Sequence, residues 1–173
     1  MIKVGQPAPD FTLKGYQDGK FNEYSLSQTN AEGKWAVVFF YPLDFTFVCP
    51  TEITGFNKEI KSFEKLKAQV FGISVDSVHS HKAWVEKDLG KLEYPLLSDF
   101  KKETAEEYNV LVDDDGGVAL RGTFIIDPNG ILRYAVVSDL NVGRSIHETV
   151  RVLQALQNGG LCPVDWEEGE KTL

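Results

Sequence analysis

The sequence has few of the residues that staple or metallate a small fold. Of its 173 residues only two are cysteine, Cys49 and Cys162, far apart along the chain. That is too few for a disulfide-rich secreted scaffold or a four-cysteine zinc site. Histidine occurs three times, and His79 and His81 stand two apart with no third ligand at a recognisable spacing, a poor basis for a metal site. Asp113, Asp114 and Asp115 are consecutive rather than alternating, which suits a solvated turn and not a calcium loop. Positive charge is in the minority, 18 Lys and Arg against 26 Asp and Glu, and a net charge of −8 repels nucleic-acid phosphates and anionic membrane surfaces. No apolar run reaches the roughly 18 residues of a membrane span. Met1 to Asp10 has neither the apolar stretch nor the small-residue cleavage site of a signal peptide. The expectation is a chain that starts at Met1 and works in the cytoplasm, with neither nucleic acid nor membrane as a partner.

What is present reads as one α/β domain over residues 1–160 followed by a tail over 161–173. Trp35 to Tyr41 is a continuous apolar run of the kind found in strands covered on both faces, and it stops at Pro42. After Cys49 and Pro50, apolar residues recur at Ile53, Phe56, Ile60, Phe63 and Leu66, which predicts one amphipathic helix with Pro50 at its first position. Val70 to Val75 predicts a second buried strand, Val78 to Asp88 a helix, and Pro95 to Leu97 a short strand. Thr123 to Ile126 and Ile131 to Val137 flank Asp127-Pro128-Asn129-Gly130, a hairpin turn. Ser145 and Glu148 have capping-box spacing, and Gly159-Gly160 stops the helix they open. The order βαβ then ββα predicts a mixed central sheet with helices on both faces, the thioredoxin-like arrangement.

Cys49 falls where a strand hands over to a helix. Unpaired N–H groups and the positive end of the helix dipole favour a thiolate there. Thr46 stands three residues earlier with a hydroxyl able to donate to a thiolate or accept from an incoming O–H, and Pro42 can wall the loop against water. A free cysteine is more often a small buried hydrophobe, and Phe45, Phe47 and Val48 would suit that role. The flanking pattern decides against it.

Pro42, Thr46 and Cys49 in P-x-x-x-T-x-x-C, continued by Pro50-Thr51-Glu52, resemble the active-site signature of the peroxiredoxins, and FFYPLDFTFVCPTE is similar to the typical two-cysteine group. The likeness runs from Val4-Gly5-Gln6-Pro7 to the tail. It implies a thiol-dependent peroxidase acting on hydrogen peroxide and organic hydroperoxides, with Cys49 as the peroxidatic thiol and no metal, haem or flavin in the chain. By the same resemblance, Arg121 is the active-site arginine, and Arg144 a supporting arginine with Glu52 as its ionic partner. Gly160-Leu161-Cys162-Pro163-Val164-Asp165-Trp166 is similar to the family's V-C-P-x-x-W motif, with Leu161 in place of Val, and so implies that Cys162 is the resolving thiol. The resemblance further implies attack by Cys162 across an antiparallel homodimer, a pentamer of such dimers, and thioredoxin or a dedicated flavoprotein disulfide reductase as electron donor. Two rivals lack their motifs. A thioredoxin-type oxidoreductase requires C-x-x-C, which is missing at Cys49, and His147 stands in no protease signature. A holdase chaperone remains the non-enzymatic alternative.

Overall fold

The run Trp35–Phe40 forms β3, the strand through which the two layers of the molecule meet. Ala36 to Phe40 are all fully buried. Their side chains alternate between two cores: Val37 and Phe39 pack with Ile53, Phe56 and Leu153 on one face, and Ala36, Val38 and Phe40 with Tyr108 and Phe124 on the other. Such a strand must be apolar throughout, because neither face meets water. The computed structural model describes residues 2–114 and 116–173. Met1, read as the chain start, and Asp115, read as part of a solvated turn, lie outside the described residues.

The remaining strands are β1 (Thr12–Gln17), β2 (Lys20–Ser25), β4 (Ala68–Ser74), β5 (Leu96–Ser98), β6 (Arg121–Ile126) and β7 (Leu132–Ser138), in the sheet order β2-β1-β5-β4-β3-β6-β7. β3, β4 and β5 run parallel, and the other pairings are antiparallel. The helices are α1 (Leu26–Ala31), α2 (Cys49–Lys58), α3 (Ile60–Lys65), α4 (Val78–Trp84), α5 (Glu103–Glu107) and α6 (Ile146–Asn158). The inner order β4-β3-β6-β7, with α2 between β3 and β4 and α6 after β7, is the thioredoxin-like core that the sequence predicts.

The β6–β7 turn and α6 form as expected. The Asp127 carboxylate accepts from the N–H groups of Asn129 and Ile131, and Gly130 supplies a positive φ. Ser145 caps α6 by accepting from the Glu148 N–H, and Gly159 ends it in the left-handed region.

Three local readings are corrected. The single helix after Cys49 is two, because Glu59 leaves the helical region at φ −91°, ψ 6°. It begins at Cys49 itself, with Val48 as N-cap, rather than at Pro50. The helix from Val78 closes its α-turns at Trp84 and continues over Val85–Leu89 as a wider π-type turn before Gly90. β1 and β2 form a hairpin whose turn, Asp18-Gly19, has positive φ at both residues. Asp-Gly is the signal for such a turn, but β2 is largely exposed and gives no apolar alternation.

Candidate active site

α2 begins at the thiol-bearing residue. Cys49 is fully buried, and Pro50 sits in the first turn, where its missing N–H leaves no broken bond. β6 brings Arg121 to this helix end: Arg121 Nη1 donates to Cys49 Sγ at 3.4 Å and to Glu52 Oε2 at 2.7 Å, while its Nε donates to the Leu140 carbonyl at 2.8 Å. Arg144, just before α6, donates through Nε to Glu52 Oε1 at 2.9 Å. It also reaches the Gly122 carbonyl at 2.8 Å and the Phe40 carbonyl at 2.6 Å, and its guanidinium lies 5.2 Å from the Phe39 ring centre. Glu52, one turn into α2, is thus held between two guanidinium groups, and all three side chains are almost wholly buried. Burial pulls the Arg144 guanidinium below the usual arginine range, with the Glu52 carboxylate opposing that shift.

The charges do not cancel. Two arginines and one carboxylate leave one positive charge in a site away from water, and the guanidinium that bears on Cys49 is part of it. A buried charge is costly unless paired. A negative charge at Cys49 Sγ would balance the cluster.

The structure therefore brings Cys49, Glu52, Arg121 and Arg144 together, including the Glu52–Arg144 pair expected from the sequence. Thr46 stands differently. Its hydroxyl donates to the Leu43 carbonyl at 2.9 Å rather than to the thiol, and it lines an open groove of about 410 Å³ with Phe45, Pro50, Thr51, Thr54, Trp84, Asp88 and Leu89. Pro42 is buried where β3 runs into the loop, and Phe45, between Pro42 and Cys49, has φ 56°. A bulky residue in the left-handed region is strained, and such strain gathers at functional loops.

Cys162 follows the α6 stop and is a free, half-buried thiol with Sγ 3.8 Å from the Ala155 carbonyl. The segment after it is folded back on α6. Trp166 is 1% exposed, its indole N–H donates to the Glu170 carbonyl, and its own carbonyl accepts from Arg151 Nη1 at 3.0 Å. Arg151 is fixed in turn by a two-point contact with Glu148. Replacing Trp166 by alanine removes the only large apolar anchor among residues 161–173 that is buried. The expected result is faster hydrogen exchange and proteolysis across 161–173, with exchange in β3 and β4 unchanged, because local opening of a terminal segment is separable from global unfolding.

Comparison with known proteins gives a consistent picture. The AhpC/TSA family matches over residues 4–135. The chain is 50% identical to a chloroplastic 2-cysteine peroxiredoxin of Chattonella marina var. antiqua, covering 99% of this chain and 92% of the relative. Among solved structures, reduced 2-Cys peroxiredoxin of Plasmodium vivax superposes with a TM-score of 0.93 at 38% identity, covering 98% of this chain and 91% of that one. AhpC of Mycobacterium tuberculosis gives a TM-score of 0.86 at 39% identity, covering 96% and 99%.

Proposed function

The chain belongs to the AhpC/TSA family of peroxiredoxins, and from that premise we propose how its own residues carry out thiol-dependent reduction of peroxides. It is an enzyme of the peroxiredoxin class, reducing hydrogen peroxide and organic hydroperoxides to water and alcohols. The observation that carries the reading is the uncompensated positive charge that Arg121, Arg144 and Glu52 leave beside the buried Cys49 sulfur.

The Cys49 thiolate attacks the terminal oxygen of the peroxide in line with the O–O bond. A sulfur–oxygen bond forms, the O–O bond breaks, and the departing alkoxide or hydroxide takes up a proton and leaves as alcohol or water. Arg121 stabilises charge on the departing oxygen, and the Thr46 oxygen accepts from the peroxide O–H and so orients it. Glu52 and Arg144 hold Arg121 in place. Pro42 fixes the start of the loop and keeps water off the sulfur. The Cys49 sulfenic acid then condenses with Cys162, losing water and forming a disulfide. An external dithiol, thioredoxin or a dedicated flavoprotein disulfide reductase, restores both thiols by exchange. Because Cys49 is fully buried, the first turn of α2 unwinds to expose the sulfenic acid, drawing on the weak hold that helix ends have.

In this reading residues 1–160 form the catalytic domain and 161–173 the resolving tail, and Cys162 belongs to the partner of a homodimer. β7 supports that pairing, since it is an edge strand with Val136 and Val137 exposed on it. Exposed Leu43, Phe45 and Phe47 on the Cys49 loop offer the second apolar face that a pentamer of dimers requires. No helix among the described residues is long and apolar enough to cross a membrane. The cytoplasm, where dithiol donors keep both cysteines reduced, is the compartment we assign.

The test is peroxide consumption by the purified protein with excess dithiothreitol. Many turnovers per subunit are expected. Protection of aggregating clients without peroxide turnover would favour the chaperone instead.

A further inference from the structure

Outside the charge cluster lies a second buried group of titratable side chains, and it touches the Cys49 loop directly. His81, on α4, is fully buried. Its Nε2 lies 3.0 Å from the Leu97 carbonyl and its Nδ1 lies 2.8 Å from Asp44 Oδ2. A carbonyl oxygen has no proton to give, so Nε2 donates. Nδ1 and Asp44 Oδ2 share a proton across the second contact, and the Tyr41 hydroxyl also comes within 3.4 Å of Nδ1.

Asp44 is the midpoint between Pro42 and Thr46. Its Oδ1 accepts from the Tyr41 hydroxyl at 2.8 Å, and its Oδ2 accepts from Ser80 Oγ at 2.8 Å and meets His81 Nδ1. Its backbone N–H donates to Asp76 Oδ2 at 2.9 Å, and that carboxylate also accepts from Ser74 Oγ at 2.7 Å. Burial, followed by the nearby charge of Asp44, raises Asp76 above the usual carboxylate range. Two acidic groups thus converge beneath the loop, from the loop itself and from the end of β4, and the His81 ring from α4 is placed between β5 and the loop. One turn further along α4, Trp84 packs on Phe45 with ring centres 5.8 Å apart. The contacts to Asp44 and the packing of Trp84 on Phe45 therefore hold the loop at, and just before, the strained Phe45 backbone.

We propose that His81 is a positioning residue for peroxide capture: braced on the Leu97 carbonyl it holds Asp44, and through Asp44 it holds the loop that carries Thr46. It touches neither peroxide nor sulfur. Without its ring, Asp44 loses its tie to β5, the loop is released, and Thr46 no longer orients the O–O bond, while the arginines beside Cys49 stay where they are. This rests on the peroxidase reading above, and its failure is distinguishable from the failure of that reading.

Two rates test it. In stopped-flow, His81→Asn should react with hydrogen peroxide on the order of ten-fold or more slowly, while Cys49 alkylation by iodoacetamide, which reads the thiolate and needs no oriented O–O bond, is as fast as in wild type or faster. A peroxide rate within two-fold of wild type, or both rates falling together, would refute it. If the wild type itself consumed no peroxide, the peroxidase reading would fail instead.

Discussion

Cys49→Ser is expected to abolish peroxide turnover, with the second-order rate falling by at least about 10⁴-fold, because a serine hydroxyl remains protonated and is a far weaker nucleophile toward oxygen. The substitution is nearly isosteric, so the fully buried position keeps its packing against α2 and the sheet. Arg121, Glu52 and Arg144 keep their mutual contacts, since none of these depends on sulfur. Stopped-flow mixing with hydrogen peroxide, together with a circular dichroism spectrum, separates lost chemistry from lost fold. Residual turnover within ten-fold of wild type would move the reacting thiol to Cys162.

The second large effect concerns stability. Glu52→Gln removes the only carboxylate between two almost fully buried guanidinium groups. Breaking a buried ion pair by neutralising one partner costs about 3–5 kcal/mol, more than a surface pair is worth, because the remaining charges stay desolvated. For a chain of this size that corresponds to a fall in Tm of roughly 6–20 °C. The amide still offers one acceptor, so the lower end of the range is expected if Arg144 keeps its bonds to the Gly122 and Phe40 carbonyls. Arg121 loses its 2.7 Å carboxylate contact, so the peroxide rate should fall along with stability. A melting temperature within 2 °C of wild type would show that the cluster is open to water and contributes little.

Local rules place Cys49 between the strand that ends at Pro42 and the helix that follows, but its role as nucleophile, like that of Glu52 as ionic partner, is legible only through the family likeness. Arg121 and Arg144 were found through the family likeness; composition alone makes each an ordinary cation. What brings them to Cys49 is the β3–β6 pairing, a contact between distant segments that no local pattern encodes. The same limit hid Asp44 and His81. They are 37 residues apart, and His81 was weighed only with His79 as a weak metal motif, whereas its partners are a carboxylate on a loop and a carbonyl on β5. Short elements escaped for another reason. α5 spans only Glu103–Glu107 and is too short to show a helical period, and β2 is exposed along most of its length. The break at Glu59 was missed because apolar residues keep a helical spacing across it, with Phe56 and Ile60 both buried in the same core.

The Cys162 half of the account rests on a segment that the structure holds against α6. For resolution to occur, that segment must leave the Ala155 carbonyl and the buried Cys49 must emerge. Both motions start from termini, of a helix and of the chain, where opening is least costly. The slower of the two sets the rate at which the sulfenic acid is captured, and hence how much peroxide is needed to drive Cys49 to sulfinic acid.

The most direct measurement is intact mass under non-reducing conditions after one equivalent of hydrogen peroxide, followed by peptide mapping. The account predicts a covalent dimer in which peptides containing Cys49 and Cys162 are joined, with neither thiol free to alkylate. A monomer in which Cys49 carries only added oxygen and Cys162 remains a free thiol would contradict it.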